Sequence, residues 1–359
     1  MEFRVMVMAG GTGGHVFPAL AVADWLRQQG CEVCWLGARH GMESRLVPER
    51  GYPMEFIDLQ GVRGTALGRR LASPFVLLRA LWQALWLLRR QRPDLVLGMG
   101  GFVSGPGGVM AWLLRIPLVI QEQNAIPGLT NRILSRIASR VFEAFPGSFA
   151  DTGLAVESGN PVRREILALP DPEIRFANRQ GRPRLLILGG SLGAQVLNET
   201  VPAALARLQP ELRPEVHHQT GEKTYALALE CYRTQGIEAE LKPFESDMAE
   251  AYGWADLVIC RAGALTVSEL AAAGLGSILV PFPHAVDDHQ THNAAYLVKA
   301  GAAVLLPQTE LNAESLAALL RKLLRDPARL QGMANAARRL ARPEAAEQVG
   351  RACLEVIKR

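Results

Sequence analysis

Phe3-Arg-Val-Met-Val-Met-Ala9 running into Gly10-Gly-Thr-Gly-Gly-His15, and Arg184-Leu-Leu-Ile-Leu188 running into Gly189-Gly-Ser-Leu-Gly-Ala194, decide the fold. Each reads as a short buried strand, a tight turn and the start of a helix. Such a turn aims backbone N–H groups and the positive end of a helix at one spot, an arrangement suited to phosphate. Two of these units in 359 residues predict two similar halves with a cleft between them.

Outward from these turns, apolar runs alternate with helical periodicity. Strands are expected at 3–9, 32–36, 94–98, 116–120 and 140–143, then near 184–188, 237–241, 256–260, 277–280 and 302–305. Helices are expected from Pro18 to Gln29 and near 195–208, 265–273 and 312–325. Alternation of this kind predicts an α/β chain of parallel β-α-β units. The domain boundary is expected after Gly159-Asn-Pro-Val-Arg163, giving domains 1–163 and 164–340. Leu169 to Pro183, rich in proline, glycine and polar residues, reads as a linker.

The net charge of +4 is unevenly placed. Residues 1–163 hold 17 arginines and no lysine against 12 acidic residues, while the rest is near neutral. That asymmetry suits an anionic partner such as lipid or nucleic acid, or is a solvated arginine surface. The five scattered cysteines and a start that runs straight into a strand predict reduced thiols, a cytosolic setting and no targeting segment. Cys31 and Cys34 fall on a strand, where i and i+3 face opposite sides, so they read as structural. From Phe75 to Leu88 only Arg79 and Gln83 are polar. A helix of that length spans about 21 Å, short of the roughly 30 Å bilayer core. It is therefore either a core helix or an interfacial one, with Trp82 and Trp86 at the headgroups and Arg69, Arg70, Arg89, Arg90 and Arg92 beside it.

The glycine turns have rival owners. A dinucleotide fingerprint fails, because Val16 stands where a third glycine is needed and no acidic residue ends the second strand. No G-x-x-x-x-G-K-[ST] occurs. Gly189-Gly-Ser-Leu-Gly193 also fits a nucleophile elbow, with Ser191 as nucleophile and Asp256 or Asp287 with His289 as partners. A third glycine cluster, Gly98 to Pro106, and the polar run Gln121 to Gly128 both follow strands, at the edge where parallel sheets collect ligands. In the second half, Cys260 to Glu269 enters a helix whose first N–H groups, at Ala264, Leu265 and Thr266, lack intrahelical partners. Glu269, about one turn further, reads either as an acceptor for two vicinal hydroxyls, as a ribose presents, or as plain compensation of the helix dipole. His284, His289 and His292 lack the spacing of a helical zinc site. With no Asp-x-Asp in the chain, charge on a leaving diphosphate falls to helix N-termini, backbone N–H groups and hydroxyls.

Six segments together resemble one family: Gly10–His15, Gly100-Gly-Phe-Val-Ser-Gly-Pro106, Glu122-Gln-Asn124, Gly159–Arg163, Gly189–Ala194 and Arg261-Ala-Gly-Ala-Leu-Thr-Val-Ser-Glu269. They resemble, in order and over essentially the whole chain, the MurG family of bacterial glycosyltransferases (glycosyltransferase family 28). The resemblance implies a GT-B fold, two Rossmann-like domains with parallel sheets facing across a cleft, and a C-terminal helix at 341–359 that packs back on the first domain. It implies metal-free, cofactor-free, inverting transfer of GlcNAc from UDP-GlcNAc to the C4 hydroxyl of MurNAc in undecaprenyl-pyrophosphoryl-MurNAc-pentapeptide. That is the step from lipid I to lipid II in peptidoglycan synthesis, and so in cell shape and division.

Carried across, Ser191 meets the diphosphate, and Arg163 and the backbone near Glu245 lie by the uridine. Glu269 holds the ribose. Ala264, Leu265, Thr266, Val267 and Ser268 line the sugar-nucleotide pocket. Asn124 and Gln290, or His289 in its place, contact the GlcNAc, with Thr12, Gly13 and Gly14 closing over it. Gly101 and Ser104 fall to the acceptor, and Trp82 and Trp86 to the membrane. His15 serves as general base or binds the acceptor pyrophosphate. The implied partners are UDP-GlcNAc, lipid I and the anionic cytoplasmic face of the inner membrane; further cell-wall and division proteins stay open, and nucleic acid is not expected. A GT-B enzyme with another acceptor and a serine hydrolase remain as alternatives.

Overall fold

The computed structural model describes residues 3–59, 67–149, 153, 155–177, 179–190 and 193–358. The strands are β1 (Arg4–Met8), β2 (Glu32–Ala38), β3 (Met54–Ile57), β4 (Leu95–Gly98), β5 (Leu118–Glu122), β6 (Arg140–Glu143), β7 (Ala155–Glu157), β8 (Arg184–Leu188), β9 (Glu215–Gln219), β10 (Glu240–Lys242), β11 (Leu257–Cys260), β12 (Gly276–Leu279) and β13 (Ala303–Leu305). They form two sheets, ordered β3-β2-β1-β4-β5-β6-β7 and β10-β9-β8-β11-β12-β13. Every pairing is parallel, with Val5 opposite both Val33 and Leu95, and Ile187 opposite both His218 and Ile259.

Each sheet is thus wound in two directions from a central strand. The order reverses between β1 and β4 in the first sheet and between β8 and β11 in the second. At such a point the loops leaving two neighbouring strands diverge, opening a crevice at their carboxyl ends. Both glycine turns of the opening sequences leave these central strands.

The chain divides into two units, Met1–Arg163 with Arg342–Arg359, and Arg164–Ala341. In the first, alternation along β1 sends Val5 and Val7 to one face and Met6 and Met8 to the other, each into its own core. Cys31 and Cys34 divide between these two cores, as a strand period requires. The closing helix Ala345–Ile357 returns to this unit, where Val349 and Cys353 join the core beside the helix Gly13–Gln28. The second unit buries Leu185, Ile187, Leu257, Ile259 and Ile278 against Leu197, Val201, Leu316 and Leu320.

Two expectations change here. Leu169 to Pro183 is not a free linker. Its helix Pro172–Ala177 is strapped to the second unit by arginines. Arg175 donates to the carbonyls of Ala273 and Gly274, and Arg179 pairs with Asp256 at 2.6 Å. Arg338 reaches Asp171 at 3.0 Å. Burial and the neighbouring arginines depress Arg175 to about 10. Guanidinium groups capping carbonyls at helix ends replace the apolar contacts whose absence suggested a linker. The second change is β9, Glu215-Val-His-His-Gln, a strand with one aliphatic residue. It is held in the sheet because His218 is buried with its Nδ1 at 3.0 Å from the Tyr232 hydroxyl.

Candidate functional site

In the first unit, the loop after β1 leads into the helix Gly13–Gln28 through Thr12, whose backbone is extended. The Thr12 carbonyl accepts from the N–H groups of His15 and Val16 at 3.1 and 3.2 Å. The loop after β4 lies directly against it. Met99 N–H donates to the Met8 carbonyl at 2.8 Å, and Gly101, at φ +84°, sits so close that a Cβ would run into the Gly10 carbonyl oxygen. Only glycine satisfies both the positive φ and that approach. Ser104, expected at the acceptor, is fully buried. Its hydroxyl lies 3.0 and 2.8 Å from the Met8 and Gly100 carbonyls, so it supports the loop from beneath.

Glu43 had no place in the sequence reading. It is completely buried, and its carboxylate accepts from Gly11 N–H at 2.9 Å and Ala38 N–H at 3.0 Å. One N–H of the first glycine turn is therefore already matched to an internal anion. The signal in the sequence was the set Gly10, Gly37 and Gly41: a Cβ at Gly10 or Gly41 would collide with this carboxylate, and one at Gly37 with the Glu43 Cγ and the Met54 methyl.

His15 is half-buried in the first turn of its helix, with Nδ1 2.7 Å from Gln123 Oε1. Glu122, at the end of β5, receives four donors. These are Asn124 N–H (2.9 Å), Asn124 Nδ2 (3.1 Å), Gly128 N–H (3.1 Å) and Asn131 Nδ2 (2.9 Å). A carboxylate so occupied organises its loop. It turns the Asn124 side chain back toward β5. Arg163 closes the first unit with its guanidinium carbon 5.0 Å from the Phe17 ring centroid. Thr12 is exposed, and Gly13 and Gly14 form the helix start.

In the second unit, Ser191 lies outside the described residues. The turn that carries it is framed by Gly190 and Gly193, both at positive φ, and a Cβ on Gly193 would collide with the Thr220 carbonyl. Among the described residues its hydrogen-bonded backing is uncharged. Gln219 Nε2 donates to Gly190 O (3.1 Å), Asn198 Nδ2 to Thr220 O (3.1 Å) and Thr224 Oγ1 to Thr220 O (2.6 Å). The helix Gln195–Ala206 begins immediately after.

The neighbouring loop after β11 opens the helix Ala264–Ala273 on Gly263, which has no side chain to cap it. Leu265 and Thr266 are partly exposed, while Val267 is fully buried and presents only backbone. Ser268 bonds back to the Ala264 carbonyl at 3.1 Å. Glu269 is buried, with Oε2 held by the Tyr252 hydroxyl at 3.1 Å, a partner the sequence did not disclose. Gln290 Oε1 accepts from Ala262 N–H (3.2 Å) and Phe282 N–H (2.9 Å), joining the loops after β11 and β12. Since both partners can only donate, the amide oxygen faces inward and its NH₂ is the group suited to a sugar oxygen. His289 starts the same helix, His289–Lys299. The Glu245 carboxylate accepts from Lys242 Nζ (3.0 Å) and Asp247 N–H (3.1 Å).

The hydrolase arrangement through Asp256 fails on topology. Asp256 precedes β11, accepts from Arg184 N–H at 2.9 Å and pairs with Arg179. It stands at the amino edge of the sheet, whereas the Gly189–Ala194 turn leaves the carboxyl edge.

The apolar run lies on the helix Leu67–Gln91, which buries Ala80, Ala84, Leu87 and Leu88. Phe75 (77% exposed), Leu78, Trp82 (67%) and Trp86 form an outward stripe, so the run is not purely a core helix. Its two polar residues have one partner. Gln83 and Arg79 both donate to Asp58 Oδ2, at 2.9 and 2.6 Å. Among the described residues no helix is long and apolar enough to cross a membrane.

Two Rossmann-like units with ligand loops at both switch points define the GT-B class of glycosyltransferase folds. Residues 5–143 match the glycosyltransferase family 28 N-terminal domain and residues 184–349 its C-terminal domain. The chain belongs to glycosyltransferase family 28. It is 58% identical over 352 residues to a UDP-N-acetylglucosamine--N-acetylmuramyl-(pentapeptide) pyrophosphoryl-undecaprenol N-acetylglucosamine transferase of Marinobacter nauticus, covering 98% of this chain and 97% of that one. The transferase of the same name from Alkalilimnicola ehrlichii is 59% identical, covering 99% of both. The crystal structure of Acinetobacter baumannii MurG superposes with a TM-score of 0.85 at 44% identity, covering 98% of this chain and 99% of that one.

Proposed function

We propose that this chain transfers N-acetylglucosamine from UDP-GlcNAc to the C4 hydroxyl of MurNAc in undecaprenyl-pyrophosphoryl-MurNAc-pentapeptide. The observation that carries the reading is identity near 58% to transferases of that name across 98% of the chain, both units included. The acceptor oxygen forms its bond to the anomeric carbon as the bond to UDP breaks, with inversion. The second unit holds the donor. The Gly189–Ala194 turn takes the diphosphate, Glu269 the ribose hydroxyls, and Gln290 the sugar. The first unit serves the acceptor, with His15 receiving its proton.

The test is a panel of UDP-sugars against a short-chain lipid I analogue. UDP-GlcNAc alone should support rapid turnover. Equal turnover with UDP-glucose, or none with the analogue, overturns the substrate assignment. His15→Ala should lower kcat by roughly 100- to 10,000-fold at saturating acceptor. A raised acceptor KM with normal kcat assigns His15 to the pyrophosphate instead.

The exposed stripe Phe75, Leu78, Trp82 and Trp86, with Arg89 and Arg90 beside it, suits the anionic cytoplasmic leaflet where such an acceptor resides. Charge reversal at Arg89 and Arg90 should weaken binding to anionic vesicles; unchanged binding places the docking face elsewhere.

A further inference from the structure

Behind His15 runs a line of three buried primary amides, Gln123, Gln121 and Asn160. Each has a backbone carbonyl on one side, and a carbonyl can only accept. Gln123 Nε2 lies 3.2 Å from the Gln121 carbonyl and 2.6 Å from Gln121 Oε1. Gln121 Nε2 lies 3.2 Å from the Glu122 carbonyl, 3.3 Å from the Gly159 carbonyl and 3.2 Å from Asn160 Oδ1. Asn160 Nδ2 lies 3.0 Å from the Gln123 carbonyl. Turning any one of these amides over would set its oxygen against a carbonyl oxygen in a buried site, at the full cost of an unsatisfied polar contact. All three orientations are therefore determined by the backbone.

The consequence reaches the imidazole. With its NH₂ facing Gln121, Gln123 presents Oε1 to His15, 2.7 Å from Nδ1. An amide oxygen has no hydrogen to give, so Nδ1 must carry one. Neutral His15 is then held as the Nδ1–H form, and Nε2 bears the lone pair. The contact is close on all sides, for a Cβ on Gly100 would lie 2.7 Å from Nδ1 and 3.1 Å from Gln123 Oε1.

We infer that Gln123 is a positioning residue. Anchored by Gln121 and Asn160, it holds His15 in the tautomer whose Nε2 can accept a proton. The catalytic half of this inference rests on the proposed role of His15 as base; the tautomer itself does not. When the acceptor hydroxyl attacks, its proton passes to Nε2, and the resulting imidazolium keeps its Nδ1–H bond to Gln123, so no rearrangement accompanies the transfer.

The experiment is ¹⁵N correlation spectroscopy of the histidine rings in the full-length protein in mildly alkaline buffer, with His15→Gln used to assign the signal. Wild-type His15 should show hydrogen on Nδ1 and the lone pair on Nε2. The opposite pattern overturns the inference before any variant is made. In Gln123→Met, which keeps length and removes the acceptor, His15 should move toward the Nε2–H form. Its kcat should fall roughly 10- to 100-fold with donor KM unchanged, part of the general-base contribution. A thermal melt close to wild type separates this from misfolding. An unchanged tautomer in Gln123→Met overturns the positioning role. A switched tautomer with unchanged kcat keeps the tautomer control and removes His15 as the base.

Discussion

The two switch points are built alike and backed differently. In the first unit the glycine turn rests on the Glu43 carboxylate and ends on an imidazole fixed by an amide line. In the second, the corresponding turn rests on Gln219, Asn198, Thr220 and Thr224, none of them charged. A carboxylate beneath the first turn disfavours a second anion there, whereas the uncharged backing of the second adds no such repulsion; both turns open a helix. The two turns thus share a scaffold and differ in what stands behind each, which is the difference the proposed division of donor and acceptor rests on.

Gly193→Ala and Gly101→Ala break the comparison most severely. Each puts a side chain at positive φ against a backbone carbonyl oxygen. Strain and overpacking together should cost about 4 kcal/mol. Hydrogen exchange resolves the loss by unit. Gly193→Ala should loosen the β8 sheet and abolish UDP binding in calorimetry, while Gly101→Ala should loosen the β1 sheet and leave UDP binding intact. Loss of UDP binding in both variants would mean that the turns share the donor.

Acid should separate the units next. Burial lowers His218 from 6.5 to about 3, so the unfolded chain binds a proton there that the folded one refuses. Stability is full above pH 6.5 and is lost as pH falls toward 3. The loss reaches about 3 kcal/mol by pH 4.5. It should appear as earlier melting of the second unit, and His218→Gln should flatten that pH dependence. Equal acid sensitivity in the variant would assign the effect to other groups.

Glu269→Gln is smaller and functional. The glutamine keeps an acceptor for Tyr252 but replaces the carboxylate that the proposed function sets against the ribose hydroxyls. Donor KM should rise on the order of tenfold, about 1.5 kcal/mol, with acceptor KM unchanged. A matching rise in acceptor KM would contradict a donor role confined to the second unit.

Much of this was legible in the sequence because strand–turn–glycine units are local. The runs 3–9 and 184–188 fold where their periodicity places them, and Cys31 and Cys34 part to opposite faces as a two-residue period demands. What escaped depends on partners distant in sequence. His218 sits in a strand with the Tyr232 hydroxyl at its Nδ1, and the helix Pro172–Ala177 is tied down because Arg175 finds backbone carbonyls at Tyr252, Ala273 and Gly274. The Ser104 hydroxyl, expected at the acceptor, is a buried tie to the Met8 and Gly100 carbonyls. Gln123 stood in view within Glu122-Gln-Asn124, but its role emerges only when β5 brings it within 2.7 Å of His15.

Glu43 offers the finest test of the division between the turns. Its two oxygens hold Gly11 N–H and Ala38 N–H, so the carboxylate fixes the first turn to the end of β2. Glu43→Gln keeps one acceptor oxygen and turns an NH₂ toward the other backbone donor. At a fully buried site the mismatch should cost about 1 to 2 kcal/mol. Melting of the first unit should drop accordingly, and kcat should fall because His15 stands in the first turn of the helix that this loop introduces. Donor KM should not move, since the Gly189–Ala194 turn has its own backing. A rise in donor KM equal to the fall in kcat would show that the charge beneath the first turn also governs the donor, and the two switch points would then have to be treated as one electrostatic system.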